Sequence, residues 1–175
     1  MPHRLHLDRF DTPIGTALLV TDDEGNLRLL DWEDHEERMR VLLRRRYGSV
    51  ALEPAFAPAA IRLPLERYFA GELSALAEIP WRTQGTAFQQ LVWNALTAIA
   101  AGETISYGAL AMRIGKASAV RAVGLANGAN PVSVVVPCHR VIGSDGSLTG
   151  YGGGLERKRW LLRHEGALAE TELAL

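Results

Sequence analysis

The stretch AVRAVGLANGANPVSVVVPCHRVIG, residues 119–143, carries most of the information about the fold. Its first third predicts a helix from 119 to about 126, capped by Ser118 and stopped by Asn127-Gly128. Val120 and Val123 are expected to pack inward. Residues 106–114 predict a preceding short helix that ends at Gly115. Two short helices joined by Gly115-Lys116-Ala117 have helix-turn-helix spacing, which many other helical pairs share. Residues 131–136 then read as a buried strand. Pro137 bends the chain out of it, leaving Cys138 at the strand's end.

The outer face of the 119–126 helix is bare. Ala119, Ala122 and Ala126 fall at i, i+3 and i+7, with Gly124 beside them and Arg121 as the one charge. A helix that reads the DNA major groove presents Gln, Asn or Arg to base edges. This face suits close approach to a surface such as a minor groove, and equally suits packing against another helix.

Working outward, Phe88, Leu91, Val92, Ala95 and Ile99 follow a 3.6-residue period, and Thr86 with Gln89 forms a capping box. Residues 143–154 hold six glycines, and TGYGGG at 149–154 lets backbone approach a ligand closely. No Gly-x-x-x-x-Gly-Lys phosphate loop is present. Residues 155–164 predict the last helix. Residues 4–32 read as three short antiparallel strands, 33–47 and 58–70 as helices, and 74–85 as a linker. The expected class is α/β (α+β). A small antiparallel-sheet domain with helices would span 1–80, and a mainly helical domain with a helix-turn-helix would span 81–175.

At 175 residues, 47% hydrophobic and 22% charged, the composition is that of an ordinary globular chain. No apolar run approaches the ~20 residues of a membrane span, and 1–6 lacks a signal-peptide core, so a cytoplasmic protein is expected. Residues 1–80 carry 10 Lys+Arg against 14 Asp+Glu, and 81–175 carry 9 against 6. A mildly basic second half permits a polyanion partner without requiring one. A single cysteine excludes an internal disulfide or a multi-cysteine zinc site. His3 and His6 are better placed on the first strand than on a metal, and no cofactor is expected.

A lone cysteine is commonly just a small buried hydrophobe. Here His139 adjoins it as a base, acting directly or through water, and Glu165 could orient the imidazole. A thiol must ionise to attack, and an imidazole backed by a carboxylate supplies that chemistry.

Residues 119–143, together with TGYGGGLERKRWLLRHEG at 149–166 and FQQLVWNAL at 88–96, resemble the O6-alkylguanine-DNA alkyltransferases. The resemblance covers nearly the whole chain. It implies that Cys138 accepts an alkyl group from O6-alkylguanine, or from O4-alkylthymine, in an irreversible single-use SN2 transfer. It implies that His139 deprotonates the thiol through water, that Glu165 holds His139, and that Asn130 braces the segment carrying the cysteine. Tyr107 would contact the phosphate that rotates on base flipping and assist protonation of the leaving guanine. Arg121 would fill the vacated space, with Ala119, Ala122 and Gly124 facing the minor groove. Val141, Tyr151, Gly152 and Gly153 would line the base pocket. Gly152 stands where several relatives have serine, which adds room. The implied partner is double-stranded DNA containing the lesion, bound by a monomer able to cluster on DNA, with no membrane and no metal. Two rivals are a non-catalytic lesion binder of the alkyltransferase-like kind, which Cys138 argues against, and a Cys-His hydrolase, for which no oxyanion motif is evident.

Overall fold

Residues 17–21 of the second strand are all buried, so the sheet they belong to is covered on both faces. The computed structural model describes residues 3–168. It divides into two compact units, Met1–Gln84 and Gly85–Leu175, with the break inside the segment expected to be a linker.

In the first unit, β1 (His3–Thr12), β2 (Gly15–Thr21) and β3 (Leu27–Trp32) pair antiparallel in sequence order. Helix α1 (Glu36–Tyr47) follows, and then a strand not anticipated from sequence, β4 (Val50–Pro54), lies parallel to β1. The sheet, ordered β3-β2-β1-β4, is therefore mixed rather than antiparallel. A helical connection permits a parallel neighbour, which a tight hairpin does not. Leu5, Leu7, Leu18, Val20 and Leu29 pack with Met39, Leu43 and Tyr47, the i, i+4, i+8 stripe of α1. Each such side chain contributes roughly 1.5–3 kcal/mol on burial.

Helix α2 (Ala59–Phe69) precedes the supposed linker, which is packed structure. Leu73–Glu78 form a 3₁₀ helix, and Ala75, Leu76 and Ile79 are buried. The Leu27 amide donates to the Pro80 carbonyl at 2.9 Å, and the Arg82 amide to Leu27 at 3.0 Å. Neither Pro80 nor Gly85 lies in a turn, and the apolar residues before them find tertiary partners that local composition does not reveal.

In the second unit, α3 (Ala87–Leu96) carries the expected reciprocal cap. The Gln89 amide donates to Thr86 Oγ1 at 3.1 Å, and the Thr86 amide to Gln89 Oε1 at 3.0 Å. Trp93 is fully buried, and a Cβ at Gly85 would lie 2.4 Å from its ring, so only glycine fits there. Helix α4 (Tyr107–Arg113) is capped by Ser106, whose hydroxyl accepts from the Ala109 amide at 3.0 Å. Helix α5 (Val120–Gly128) has Ala119 at its N-cap with no side-chain cap, so Ser118 does not cap it, and it runs on to Gly128. Trp93 Nε1 donates to the Ala126 carbonyl at 2.8 Å, fastening α3 to α5. Helix α6 (Leu155–His164) closes the unit.

The valine run is not a strand. The extended pairs here are β5 (Ile105–Ser106) and β6 (Val141–Ile142), which run parallel. Residues 131–137 turn repeatedly instead. The Val135 amide donates to the Ser133 carbonyl at 2.8 Å across Val134. Val134 sits at φ 71°, a γ-turn of the rare hand for a β-branched residue. The Cys138 amide donates to the Val136 carbonyl at 2.8 Å across Pro137, whose φ −83° and ψ 65° make the commoner inverse γ-turn. Burial of Val132, Val134, Val135 and Val136 offsets a backbone cost of about 1–3 kcal/mol at Val134.

Candidate active site

Cys138 opens a one-turn 3₁₀ helix, Cys138–Arg140, that leads into β6. The residue is buried, with 7% of its surface exposed. Two asparagines hold it. Asn127 Nδ2, from the last turn of α5, donates to the Cys138 carbonyl at 3.4 Å. Asn130 Nδ2 donates to the Val136 carbonyl at 2.7 Å, while its Oδ1 accepts from the Val132 amide at 3.0 Å. Burial pushes the Cys138 thiol up, and hydrogen bonding to Asn130 and the charge of Lys158 oppose that shift. The residue is thus held rigidly as a neutral thiol that needs help to ionise.

His139 and Glu165 are both buried, and His139 Nε2 lies 2.9 Å from Glu165 Oε2. Burial holds the imidazole below its usual range even though Glu165 favours the charged ring. Burial would raise the Glu165 carboxyl, but His139 and Arg140 outweigh it and keep it well below the carboxylate range. An ionised Glu165 and a neutral ring fix the tautomer: Nε2–H donates to the carboxylate, leaving Nδ1 with a lone pair. Among the described residues, Nδ1 is buried and has no hydrogen-bond partner. An acceptor aimed at no protein group, one residue from a thiol, can take a proton through a single intervening water.

Arg140 is a member of this constellation that sequence reasoning missed. Its Nε and Nη2 donate to the two oxygens of Glu165 at 2.8 and 2.9 Å, a bidentate fork. Lys158 was also missed. It is fully buried on α6, and its Nζ donates at 2.8 Å to the carbonyls of both Val141 and Thr149. Burial pushes it down to about 8, with Cys138 opposing. Both look like surface charges in the sequence, and the signal that could have flagged them is their spacing from Cys138 and Glu165 within two compact segments.

The β5–β6 pairing sets Ser106 opposite Ile142, so Tyr107, the next residue, starts α4 beside the segment that follows Cys138. The Tyr107 hydroxyl is 2.8 Å from Thr149 Oγ1. Its ring adjoins Gly124, where an added Cβ would meet it at 3.7 Å. In the glycine-rich segment, Tyr151 is half-buried, Gly152 exposed and Gly153 buried. The Gly154 amide closes a turn onto the Tyr151 carbonyl at 2.9 Å, and φ 96° at Gly154 requires glycine before α6. Val141 is buried, its carbonyl taken up by Lys158.

Helix α5 exposes Arg121 and Ala122, half-buries Ala119 and Gly124, and buries Val123. Two other residues of this helix change sides relative to expectation. Val120 is 40% exposed, and Ala126 is buried at 3% under Trp93. Arg121 forms no ion pair or hydrogen bond among the described residues, and Leu125, one turn on, is 72% exposed. At the first strand, His6 Nε2 meets Asp23 Oδ1 at 2.7 Å. The His3 side chain lies outside the described residues. Among those described, no group of three or more His, Cys, Asp or Glu is gathered as a metal site, and no helix is long and apolar enough to cross a membrane.

Residues 87–167 match the family described as 6-O-methylguanine DNA methyltransferase, DNA binding domain. The chain is 48% identical over 167 residues to the methylated-DNA–protein-cysteine methyltransferase of Salmonella typhimurium, covering 94% of this chain and 98% of that protein. It is 46% identical over 173 residues to the protein of that name from Mycobacterium tuberculosis, covering 98% of both. Among solved structures, the Mycobacterium tuberculosis O6-methylguanine methyltransferase superposes with a TM-score of 0.74 at 42% identity over 97% of this chain and 98% of that one. The same organism's OGT in complex with DNA gives 0.76 at 40% identity over 96% and 97%. With a buried Cys-His-Glu constellation behind a helix-turn-helix and relatives this similar over nearly its whole length, the chain belongs to the methylated-DNA–protein-cysteine methyltransferase family.

Proposed function

We propose that this protein repairs double-stranded DNA by flipping out O6-alkylguanine and moving the alkyl group irreversibly onto Cys138. One observation carries the reading: a buried thiol adjoins an imidazole whose Nε2 is bound by Glu165 and whose buried Nδ1 has no partner among the described residues. His139 takes the thiol proton through water. The sulfur attacks the alkyl carbon, the C–O6 bond breaks, and the electron pair leaves with the guanine, which is then protonated. Tyr107 assists that protonation and contacts the phosphate that rotates as the base leaves the stack. Asn130 braces the turn that aims the sulfur. Val141, Tyr151, Gly152 and Gly153 line the base pocket.

Arg121 enters the space vacated by the nucleotide, and Ala119, Ala122 and Gly124 let α5 approach the minor groove closely. Exposure of Arg121 and Ala122, and the lack of a partner for Arg121 among the described residues, support that placement. Gly124 also gives Tyr107 its room. The 1–80 region is a scaffold, and 81–175 binds DNA and transfers the group. The protein works as a cytoplasmic monomer able to cluster on DNA.

The test is to incubate the protein with O6-methylguanine duplex and weigh it. Intact mass should rise by about 14 Da on the peptide holding Cys138, and repair should stop at one equivalent of lesion. Turnover beyond one equivalent would overturn the reading, and an unmodified protein bound tightly to the lesion would favour a non-catalytic binder.

A further inference from the structure

Helix α5 puts two long side chains on an exposed face that is otherwise alanine and glycine. Arg121 is exposed, and Leu125, four residues on, is 72% exposed. Positions i and i+4 lie on one face of a helix, so the two project side by side, with Ala122 next to them. Gly128, three residues further, continues the same line and is exposed. The rotation of the helix is fixed from behind. Val123 and Ala126 are buried at 0% and 3%, and Trp93 Nε1 donates to the Ala126 carbonyl at 2.8 Å. The Leu125 carbonyl accepts from the Ala129 amide at 3.0 Å, so its turn of helix is closed and the side chain is held outward.

A single exposed leucine is ordinary on a protein surface. What sets this one apart is its cleared surround. Glycine weakens a helix, yet the φ of Gly128 is not positive and a Cβ added there would meet no atom within 4 Å. Neither backbone conformation nor internal packing requires glycine at that position, so the space it leaves serves something outside the chain. Proteins that enter the minor groove use leucine and other apolar side chains as wedges between base steps, trading unstacking for a bent duplex. One helical turn spans about 5.4 Å, against about 3.4 Å between successive bases of a strand. Leu125 therefore reaches a different step from the gap that Arg121 fills.

We infer that Leu125 is a second, apolar wedge: it enters the minor groove one turn beyond Arg121, prises apart a base step beside the lesion and so positions the duplex for flipping. The inference rests on the proposed repair of O6-alkylguanine in duplex DNA. The two side chains divide the work. The guanidinium brings charge and hydrogen bonds to the vacated stack, while the isobutyl group only fills space and displaces water.

Substitutions of Leu125 in the full chain test it. Single-turnover transfer from an O6-methylguanine duplex should fall about tenfold in Leu125→Ala and in Leu125→Gln, and stay near the original rate in Leu125→Met, which keeps an apolar side chain of similar bulk. Transfer from the free base O6-benzylguanine should not follow that pattern, because a free base needs no unstacking. In a Cys138→Ser background, 2-aminopurine placed next to the lesion should brighten on binding, and Leu125→Ala should remove roughly half or more of that rise. The slope of affinity against salt should be unchanged by Leu125→Ala, since an apolar side chain releases no counterions. A duplex rate in Leu125→Ala within about twofold of the original overturns the inference. So does an equal loss on the free base, which would make Leu125 a support of the fold. If Leu125→Ala does not fold, Leu125→Gln decides between the same outcomes. If no methyl group reaches Cys138 of the unaltered protein from lesion DNA, the transfer reading fails, while the 2-aminopurine signal still decides whether Leu125 opens the stack.

Discussion

Glu165 is a single carboxylate that balances two buried bases, His139 at 2.9 Å and the Arg140 fork at 2.8 and 2.9 Å. The Cys-His-Glu relation was legible because the chemistry of an activated thiol demands those residue types. Arg140 was not, since nothing in a residue's name tells whether its guanidinium is solvated. The omission matters for mutagenesis. Removing the charge of Glu165 frees the imidazole and also strands a buried guanidinium, which typically costs about 3 kcal/mol or more. Glu165→Gln should therefore slow transfer and lower the melting temperature at pH 7 together. Acid behaviour sharpens the expectation. Because the folded state holds His139 below its usual value, the stability this contributes is complete above about pH 6.5 and drains away as pH falls from there. Glu165, held low, contributes stability that is complete above about pH 4.3 and is lost on further acidification. Melting temperatures from pH 7 to 3 should fall steeply in the unaltered protein and less steeply below pH 4 in Glu165→Gln. A variant that melts like the unaltered protein at pH 7 would mean that Arg140 does not depend on this carboxylate.

Among the elements, those with strong local signals were read well. The 3.6-residue period and capping box of α3 and the paired short helices α4 and α5 are set within a few residues of chain. The failures share one cause. β4, β5 and β6 exist only through partners distant in sequence, and the two-residue β5 and β6 have almost no pattern to detect. The valine run invites a strand by propensity, but two prolines remove donors from it and only Val132 makes a single bridge, so it turns. The rotation of α5 has the same origin: Trp93 claims Ala126, which fixes Arg121 and Ala122 outward. Asn127 and Asn130 then connect the end of that helix to the cysteine turn. If the outward face meets the duplex, Arg121→Ala should lose transfer from duplex DNA at least tenfold while transfer from free O6-benzylguanine stays near its original rate, because only the duplex requires a flipped base. Parallel rate measurements on the two substrates check this. Equal losses on both would place Arg121 in the folding of the unit instead.

For the molecule as a whole, the site's chemistry and its stability are the same set of contacts, and they lie within one unit, Gly85–Leu175. Of that unit's basic residues, Arg140 and Lys158 are spent inside it and Arg113 is paired with Glu103 at 2.8 Å, so the surface available to DNA phosphates is only modestly positive. Cys138 closes the turn across Pro137, the turn before it holds Val134 at a strained φ of 71°, and Val132, Val134, Val135 and Val136 are between 0% and 5% exposed. A methyl group on the sulfur has to displace some of them, or the Asn130 side chain that bonds the same turn. Overpacking of this size typically costs about 1–3 kcal/mol. The thioether also cannot ionise, so the support that Lys158 and Asn130 give a thiolate is lost. Asn130 should move first, since it holds Val136 at 2.7 Å and Val132 at 3.0 Å, and the end of α5 should follow through Asn127. Fully methylated protein, freed of DNA, should melt roughly 2–8 °C below the unmodified protein. Its amides at 127–138 should exchange faster with solvent than before. A melting temperature that is equal or higher after complete methylation would mean that the cavity around the sulfur has room for the group, and that the spent protein is as well packed as the active one.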